Sequence, residues 1–160
     1  MRVYRLDLTV PDEAVDENAH VNNVEYIRWM EEAARAHAAH QGSTAAAQAI
    51  GATWYARAIR VEYLRPAFAG EHLAILTWVA DFHKVRSLRR YRIFRVTDGV
   101  LLAEGETDWV FVDAATGRPR SIPPEVTRLF EVVPEDEAPQ SLAGASPSSR
   151  SDTVTVTTGS

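Results

Sequence analysis

The first forty residues change from a strand-like pattern of apolar positions to a helical one. In residues 3–10, VYRLDLTV, Tyr4, Leu6 and Leu8 alternate with other residues, and this period of two predicts a strand with one buried face. Pro11 ends the strand and a loop follows. Residues 22–41 then carry apolar side chains at helical spacing, which predicts one long amphipathic helix. Its apolar stripe consists of Tyr26, Ile27, Met30, Ala33, Ala34, His37 and Ala38.

From residue 52 onward the pattern is that of strands. Residues 72–82, HLAILTWVADF, are apolar on both faces, which is typical of a central strand covered on both sides. Asp98-Gly99 separates two further strand-like runs and predicts a hairpin. Residues 43–50 suit a short helix or a loop, and residues 125–130 suit a short helix.

This order of elements predicts an α+β fold with one strand, one long helix and about four long antiparallel strands. The helix is the only candidate to cover the apolar face of the sheet, so we expect a curled antiparallel sheet wrapped around it. A single copy leaves sheet edges open, which favours at least a symmetric dimer, and a tetramer fits equally well. The domain is predicted to span residues 1–133. Residues 134–160 are rich in Ser, Ala, Pro and acidic residues and are expected to be disordered.

Composition narrows the possible functions. The chain has 160 residues, suits one domain and carries a net charge of -5, which argues against a nucleic-acid partner. It contains no cysteine, so disulfides and thiol nucleophiles are excluded. No apolar run approaches the roughly 20 residues of a membrane span, and the first residues lack a secretory apolar stretch. We therefore expect a cytoplasmic protein without a membrane span.

A polar octet, DENAHVNN at residues 16–23, stands directly before the predicted helix. A helix start presents unpaired backbone N–H groups and a partial positive charge, which suits an anion or an oxygen that gains negative charge, as in ester or thioester hydrolysis. Asp16 is a candidate base or nucleophile. His20 and Asn18 are candidates to orient the substrate or the carboxylate.

A structural interpretation of the same octet remains open. Asn22 or Asn23 can simply cap the helix, and His20 can be a loop imidazole bonded to a backbone carbonyl. From the residue types alone this interpretation is favoured. His37 and His40, three residues apart, lack a carboxylate of matching geometry, so no metal site is predicted.

The stretch DENAHVNNVEYIRWMEEAARAH resembles the signature of hotdog-fold acyl-CoA thioesterases of the 4-hydroxybenzoyl-CoA thioesterase type. It is also similar to the corresponding segment of plant acyl-ACP thioesterases, and the resemblance extends from residue 1 to about residue 130. It implies a hotdog fold and hydrolysis of an acyl-CoA thioester, with a second subunit completing the site. Asp16 would be the catalytic carboxylate, the backbone N–H of Asn23 would polarise the carbonyl, and Asn18 and His20 would be auxiliary. The plant enzymes are credited with a cysteine that this chain lacks, so Asp16 must carry more of the chemistry here.

The resemblance also implies where the substrate lies. Lys84, Arg86 and Ser87 belong to a basic run, HKVRSLRRYR, and would sit near a CoA phosphate or an acidic carrier protein; a solvated strand face is the alternative. The acyl chain would lie between helix and sheet, where Tyr26 is a candidate for its lining or for ordinary core, and no separate cofactor is expected because CoA is part of the substrate. Further candidates for the acyl lining, each also a candidate for ordinary core, are Met30, Trp54, Tyr55 and Trp78.

Three other functions stay open on the sequence. The substrate carrier can be acyl carrier protein in place of CoA. A hotdog hydratase or dehydratase acts on related thioesters, and a non-catalytic protein can bind an acyl thioester without cleaving it.

Overall fold

The computed structural model describes residues 1–145, which form one antiparallel sheet and three helices. The strands lie in the order β1-β3-β4-β5-β2. Residues 146–160 of the expected disordered tail lie outside the described residues. The strands are β1 Val3–Thr9, β2 Ala52–Tyr63, β3 His72–His83, β4 Arg86–Arg95 and β5 Leu101–Asp113; the helices are α1 Asn23–His40, α2 Ser43–Ala49 and α3 Pro124–Thr127.

Helix α1 lies against the inner face of the sheet, and its apolar stripe forms the centre of the main core. Trp29, Met30 and Ala33 are fully buried there with side chains from β1, β3, β4 and β5. A Cβ atom added at Gly105 on β5 would lie 2.9 Å from the Met30 sulfur, so the glycine permits this close approach. The predicted α+β architecture of one long helix and an antiparallel sheet is therefore confirmed.

The central strand β3 is covered on both faces, as its pattern predicts. Leu73 and Ile75 belong to the main core under α1. Leu76 and Trp78 face the other side, where they are buried beneath the C-terminal segment.

This arrangement corrects the predicted boundary of the disordered tail. Residues 134–145 contain two short 3₁₀ turns, and their apolar side chains pack on the outer face of the sheet against Trp78 and Phe94. Backbone carbonyls of Pro139 and Ala145 accept hydrogen bonds from arginines of β4 and β1. The few apolar residues of this segment are enough to hold it in place, because they pack on a face of the sheet that carries large apolar side chains.

Strand β2 forms one edge of the sheet and is largely exposed. Tyr55, Ile59 and Tyr63 expose 54%, 38% and 41% of their surface, so this edge presents apolar area and unpaired backbone groups. Within residues 1–145, no helix combines the length and hydropathy that a membrane crossing requires.

Candidate active site

The polar octet begins in a tight antiparallel turn that leads into α1. The backbone N–H of Asp16 donates to the carbonyl of His20 at 2.7 Å, and that of Asn22 donates to the carbonyl of Ala14 at 2.8 Å. Ala19 adopts a positive φ of 61°, which closes the turn. The turn therefore holds Asp16 opposite His20, immediately before the helix start.

One oxygen of the Asp16 carboxylate is fixed by the turn. Oδ1 accepts hydrogen bonds from the backbone N–H groups of Asn18 at 2.9 Å and His20 at 3.1 Å. Oδ2 makes no hydrogen bond to any residue in the described range, and the residue is exposed. The local turn thus orients the carboxylate and leaves one oxygen available to a ligand.

The start of α1 is capped, but incompletely. The Asn22 side chain accepts from the N–H of Val24 at 3.2 Å, and the Asn22 carbonyl accepts from the N–H of Glu25. The N–H of Asn23, the first helical residue, has no hydrogen-bond partner among residues 1–145. The capping interpretation is therefore correct for Asn22, and one donor at the positive end of the helix stays available.

Two aromatic residues that the sequence interpretation did not select flank this turn. The Tyr63 hydroxyl donates to the carbonyl of Asn23 at 3.0 Å and fastens the end of β2 to the helix start. The ring of Phe68 meets the His20 imidazole edge-on at 5.3 Å between centroids. Neither residue is separated by its spacing or type from the other aromatic residues of the chain, so only the folded structure identifies them.

The predicted auxiliary residues lie in the same turn. Asn18 and His20 are both exposed, and each contributes its backbone N–H to the Asp16 carboxylate. Their side chains make no hydrogen bond to another described residue and remain free to meet a substrate.

Tyr26 lies in the core beside the helix start. It is 3% exposed, and its hydroxyl accepts a hydrogen bond from the backbone N–H of Ala67 at 3.2 Å. Burial raises the pKa of this hydroxyl, so it stays protonated. In the single chain, Tyr26 supports the loop that carries Phe68, and this loop in turn contacts the His20 turn.

The predicted carrier-binding residues lie far from Asp16 within one chain. Lys84, Arg86 and Ser87 occupy the β3–β4 turn and the start of β4, at the end of β3 opposite to the Asp16 turn. A strand of the length of β3 spans about 35 Å. Arg86 forms an ion pair with Asp108, and the Ser87 hydroxyl donates to the carbonyl of Asp81. One chain does not bring these residues to the octet.

The other four candidates for the acyl lining lie in different parts of the fold. Met30 is core, and Tyr55 lies exposed on the β2 edge. Trp78 lies on the outer face of the sheet, so its prediction as lining between helix and sheet is wrong. Trp54 borders a cavity of about 320 Å³ next to the C-terminal half of α1. No group of three or more His, Asp or Glu side chains in the described part of the chain is arranged to hold a metal ion.

Comparisons with known proteins agree with this architecture. Residues 10–130 match the sequence profile of the thioesterase-like superfamily. No curated protein sequence matches the chain.

Solved structures match the same part of the fold. YbaW, a probable thioesterase from Escherichia coli, is 21% identical with a TM-score of 0.73 over 79% of this chain and 95% of that one. A 1,4-dihydroxy-2-naphthoyl-CoA thioesterase from Synechocystis is 15% identical with a TM-score of 0.72, and the match covers 80% of this chain and 95% of that one. A Staphylococcus aureus protein in complex with CoA is 18% identical with a TM-score of 0.72 over 79% and 80%.

These matches confirm the hotdog fold that the octet and its helix led us to expect. The profile covers three quarters of the chain, including the whole octet, α1 and all strands after it. The protein therefore belongs to the thioesterase-like superfamily.

Proposed function

We propose that this protein hydrolyses an acyl-CoA thioester to a free acid and CoA. Membership of the thioesterase-like superfamily supports the reaction class, and the CoA complex of the Staphylococcus aureus protein supports the carrier. The observation that carries the proposal is an exposed carboxylate, on Asp16, in the turn that leads into a helix whose first backbone N–H, on Asn23, has no partner among residues 1–145.

In the proposed reaction, the thioester carbonyl oxygen accepts a hydrogen bond from the N–H of Asn23. Negative charge grows on that oxygen as the carbon becomes tetrahedral, and the helix dipole favours it there. A donor placed in this way is often worth about 10²–10³ in rate.

Asp16 supplies the other half of the chemistry through its free oxygen. In one scheme the carboxylate takes a proton from water, which attacks the carbonyl carbon and expels CoA thiolate. In the other scheme the carboxylate itself attacks the carbonyl carbon and expels CoA thiolate, which forms a mixed anhydride, and water then hydrolyses the anhydride to the free acid and the Asp16 carboxylate. Transfer of labelled oxygen from water into Asp16 during a single turnover distinguishes the covalent scheme.

The hydrogen bonds to Oδ1 suit either scheme, because they hold the carboxylate still without occupying Oδ2. Asn18 and His20 then have two roles. Their backbone groups orient Asp16, and in this proposal their side chains contact the carbonyl or the pantetheine.

A second copy of the chain completes the site in this proposal. The exposed β2 edge can pair with the β2 edge of a partner in antiparallel orientation, which extends the sheet and covers Tyr55 and Ile59. Such pairing sets the start of one β2 beside the end of the other. The start of β2 lies at the same end of the sheet as the β3–β4 turn, so a partner's basic turn approaches the octet of the first copy. Lys84, Arg86 and Ser87 would thus serve the partner's substrate.

A panel of acyl-CoA and acyl-carrier-protein substrates, followed with a thiol reagent, tests the proposal. We expect free thiol to appear with at least one acyl-CoA. Release from the carrier protein alone would assign the acyl-ACP alternative. Water addition to an enoyl-CoA, or tight binding with no release, would assign a hydratase or a binding protein instead and contradict the proposal.

A further inference from the structure

A buried arginine that has no acidic partner among residues 1–145 lies beside the 320 Å³ cavity. Arg89 on β4 is 6% exposed. Its Nη1 donates to the Thr77 hydroxyl at 3.1 Å and to His37 Nδ1 at 2.9 Å, and its guanidinium lies 5.6 Å from the centre of the Phe130 ring. Among residues 1–145, Arg89 forms no salt bridge, and its Nε and Nη2 make no hydrogen bond.

The groups that contact Arg89 are uncharged. Burial first, and the charge of Arg89 second, lower the pKa of His37 to about 3, so this imidazole is neutral near pH 7. Its Nδ1 accepts from Arg89, which leaves Nε2 protonated to donate to the carbonyl of Met1 at 2.9 Å. Burial lowers the pKa of Arg89 only to about 10, so the guanidinium keeps its charge. A buried cation without an anion is costly, because water no longer solvates it.

Half of the residues that line the cavity beside Arg89 are apolar and half are polar, and Arg35 is a second cation among the polar ones. Its size falls within the range of small-molecule sites. Ser43 is 2% exposed, and its hydroxyl makes no hydrogen bond to another residue of the described range. The wall is built mainly from Ala34, Ala38, Ala47, Trp54, Trp109 and Phe130.

We propose that this cavity binds an aliphatic carboxylate, whose charged end pairs with the free N–H groups of Arg89 and whose chain lies along the alanine-rich wall of α1 and α2. A planar guanidinium matches a carboxylate with two parallel hydrogen bonds. A strongly hydrated phosphate fits less well, because the apolar wall offers nothing in exchange for its water. The site is separate from the octet of the same chain, since its α1 residues lie in the C-terminal half of the helix.

The carboxylate can belong to a free acid or to the far end of a CoA-linked acyl group. The second source rests on the proposed function, whereas binding of a free acid does not. Octanoate is the probe for the shared chemistry, and octanamide is its uncharged control.

Calorimetric titration of the full chain tests the site itself. We expect octanoate to bind at least about tenfold more tightly than octanamide, and Arg89→Met to remove that preference. Arg118→Met, at an exposed position, serves as the matched control and should change nothing. Ala38→Leu fills the cavity without touching the charge and should also abolish octanoate binding, which keeps the test decisive if Arg89→Met does not fold. Equal binding of octanoate and octanamide, or octanoate binding that survives both Arg89→Met and Ala38→Leu, would overturn the proposal.

Kinetics then separate the two sources. If the ligand is part of the acyl group, the ratio of kcat/KM for suberyl-CoA over octanoyl-CoA falls about tenfold or more in Arg89→Met and stays unchanged in Arg118→Met. If octanoate binding depends on Arg89 while this ratio does not, the ligand is a free acid. A protein that turns over no thioester at all can still bind octanoate at Arg89, so failure of the proposed function is distinguishable from failure of this site.

Discussion

At the scale of single residues, the central feature is that two adjacent asparagines have different roles at the start of α1. Asn22 takes the N–H of Val24 with its side chain and that of Glu25 with its carbonyl. Asn23 contributes its backbone N–H, which has no partner among residues 1–145. The residue that caps the helix and the residue that offers the free donor are therefore different, although they are identical in type and adjacent in the chain.

Substitution of Asn23 can separate the backbone donor from the side chain. Proline is well tolerated as the first residue of a helix, and Asn22 already has the extended ψ of 135° that proline requires of its predecessor. Asn23→Pro should thus keep the helix but remove the N–H, and kcat should fall by about 10²–10³. Asn23→Ala keeps the N–H and should retain most activity. Equal activity of the two variants in the thiol-release assay would remove Asn23 from the proposed chemistry.

His37 should make stability depend on pH. Its pKa is about 3 in the folded chain, because burial opposes its charge, while the unfolded chain takes up a proton near its ordinary value. The unfolded state therefore binds the proton first, and the contribution of neutral His37 is lost as the pH falls below that value towards 3.

Urea unfolding at pH 7 and pH 5 measures this effect. The difference in unfolding free energy between the two pH values should be about 2 kcal/mol smaller in His37→Gln than in the wild type. His83→Gln, at an exposed position, should behave as the wild type. An unchanged pH dependence in His37→Gln would mean that this imidazole is not held neutral.

The sequence pointed to the octet and missed Arg89 for a physical reason. Asp16 and Asn23 stand before a strong helical pattern, where unpaired N–H groups are unavoidable, so their chemistry can be inferred from position. Arg89 lies in an arginine-rich strand, β4, and its side chain is on the face opposite to those of Arg86, Arg90 and Arg92. Which of them is buried depends on what covers each face, and this is a property of the folded sheet.

At the scale of elements, apolar periodicity predicted the bounds of α1 to within one residue at each end. The apolar stripe indicates the helix, Asn22 marks its start, and Gly42 follows its end. The apolar pattern of β3 also predicted correctly that both faces of this strand are covered. The cover itself was missed, since Val133, Ala138 and Ala145 are isolated apolar residues in a polar segment and have no period to detect. Their burial depends on Trp78 and Phe94, which are distant in sequence.

Two neighbouring valines test whether the C-terminal segment stabilises the fold. Val133 is fully buried, whereas Val132 exposes 38% of its surface. Val133→Ala should lower the free energy of unfolding by about 2 kcal/mol, from two lost methyl groups and the space they leave. Val132→Ala should change it by less than about 0.5 kcal/mol. Equal effects in urea unfolding would show that residues 131–145 contribute little to stability.

At the scale of the whole molecule, the proposed site is divided between two copies of the chain. The octet lies at one end of the sheet and the basic β3–β4 turn lies at the other, and antiparallel pairing of two β2 edges would bring the turn of one copy towards the octet of its partner. An open edge in the sequence pattern predicts a partner. It cannot predict which edge is used, because that depends on the strand order, which places β2 rather than β3 at the edge.

A charge on the β2 edge tests this assembly. Ile59→Lys should oppose pairing and shift the mass in light scattering from a multiple of the 17.8 kDa chain to the single chain, with loss of turnover. Thr97→Lys adds the same charge in the exposed β4–β5 turn and should leave both unchanged. A wild-type chain that is monomeric and active would contradict the shared site.

The carboxylate of Asp16 offers the most direct test of the account. In a single-turnover assay of CoA release, Asp16→Asn should fold normally and lower the rate at least about 100-fold, because the amide can neither accept a proton nor attack the carbonyl. Glu17→Gln removes the adjacent exposed carboxylate and should leave the rate close to that of the wild type. If Asp16→Asn released CoA as fast as Glu17→Gln, the proposed mechanism would be wrong.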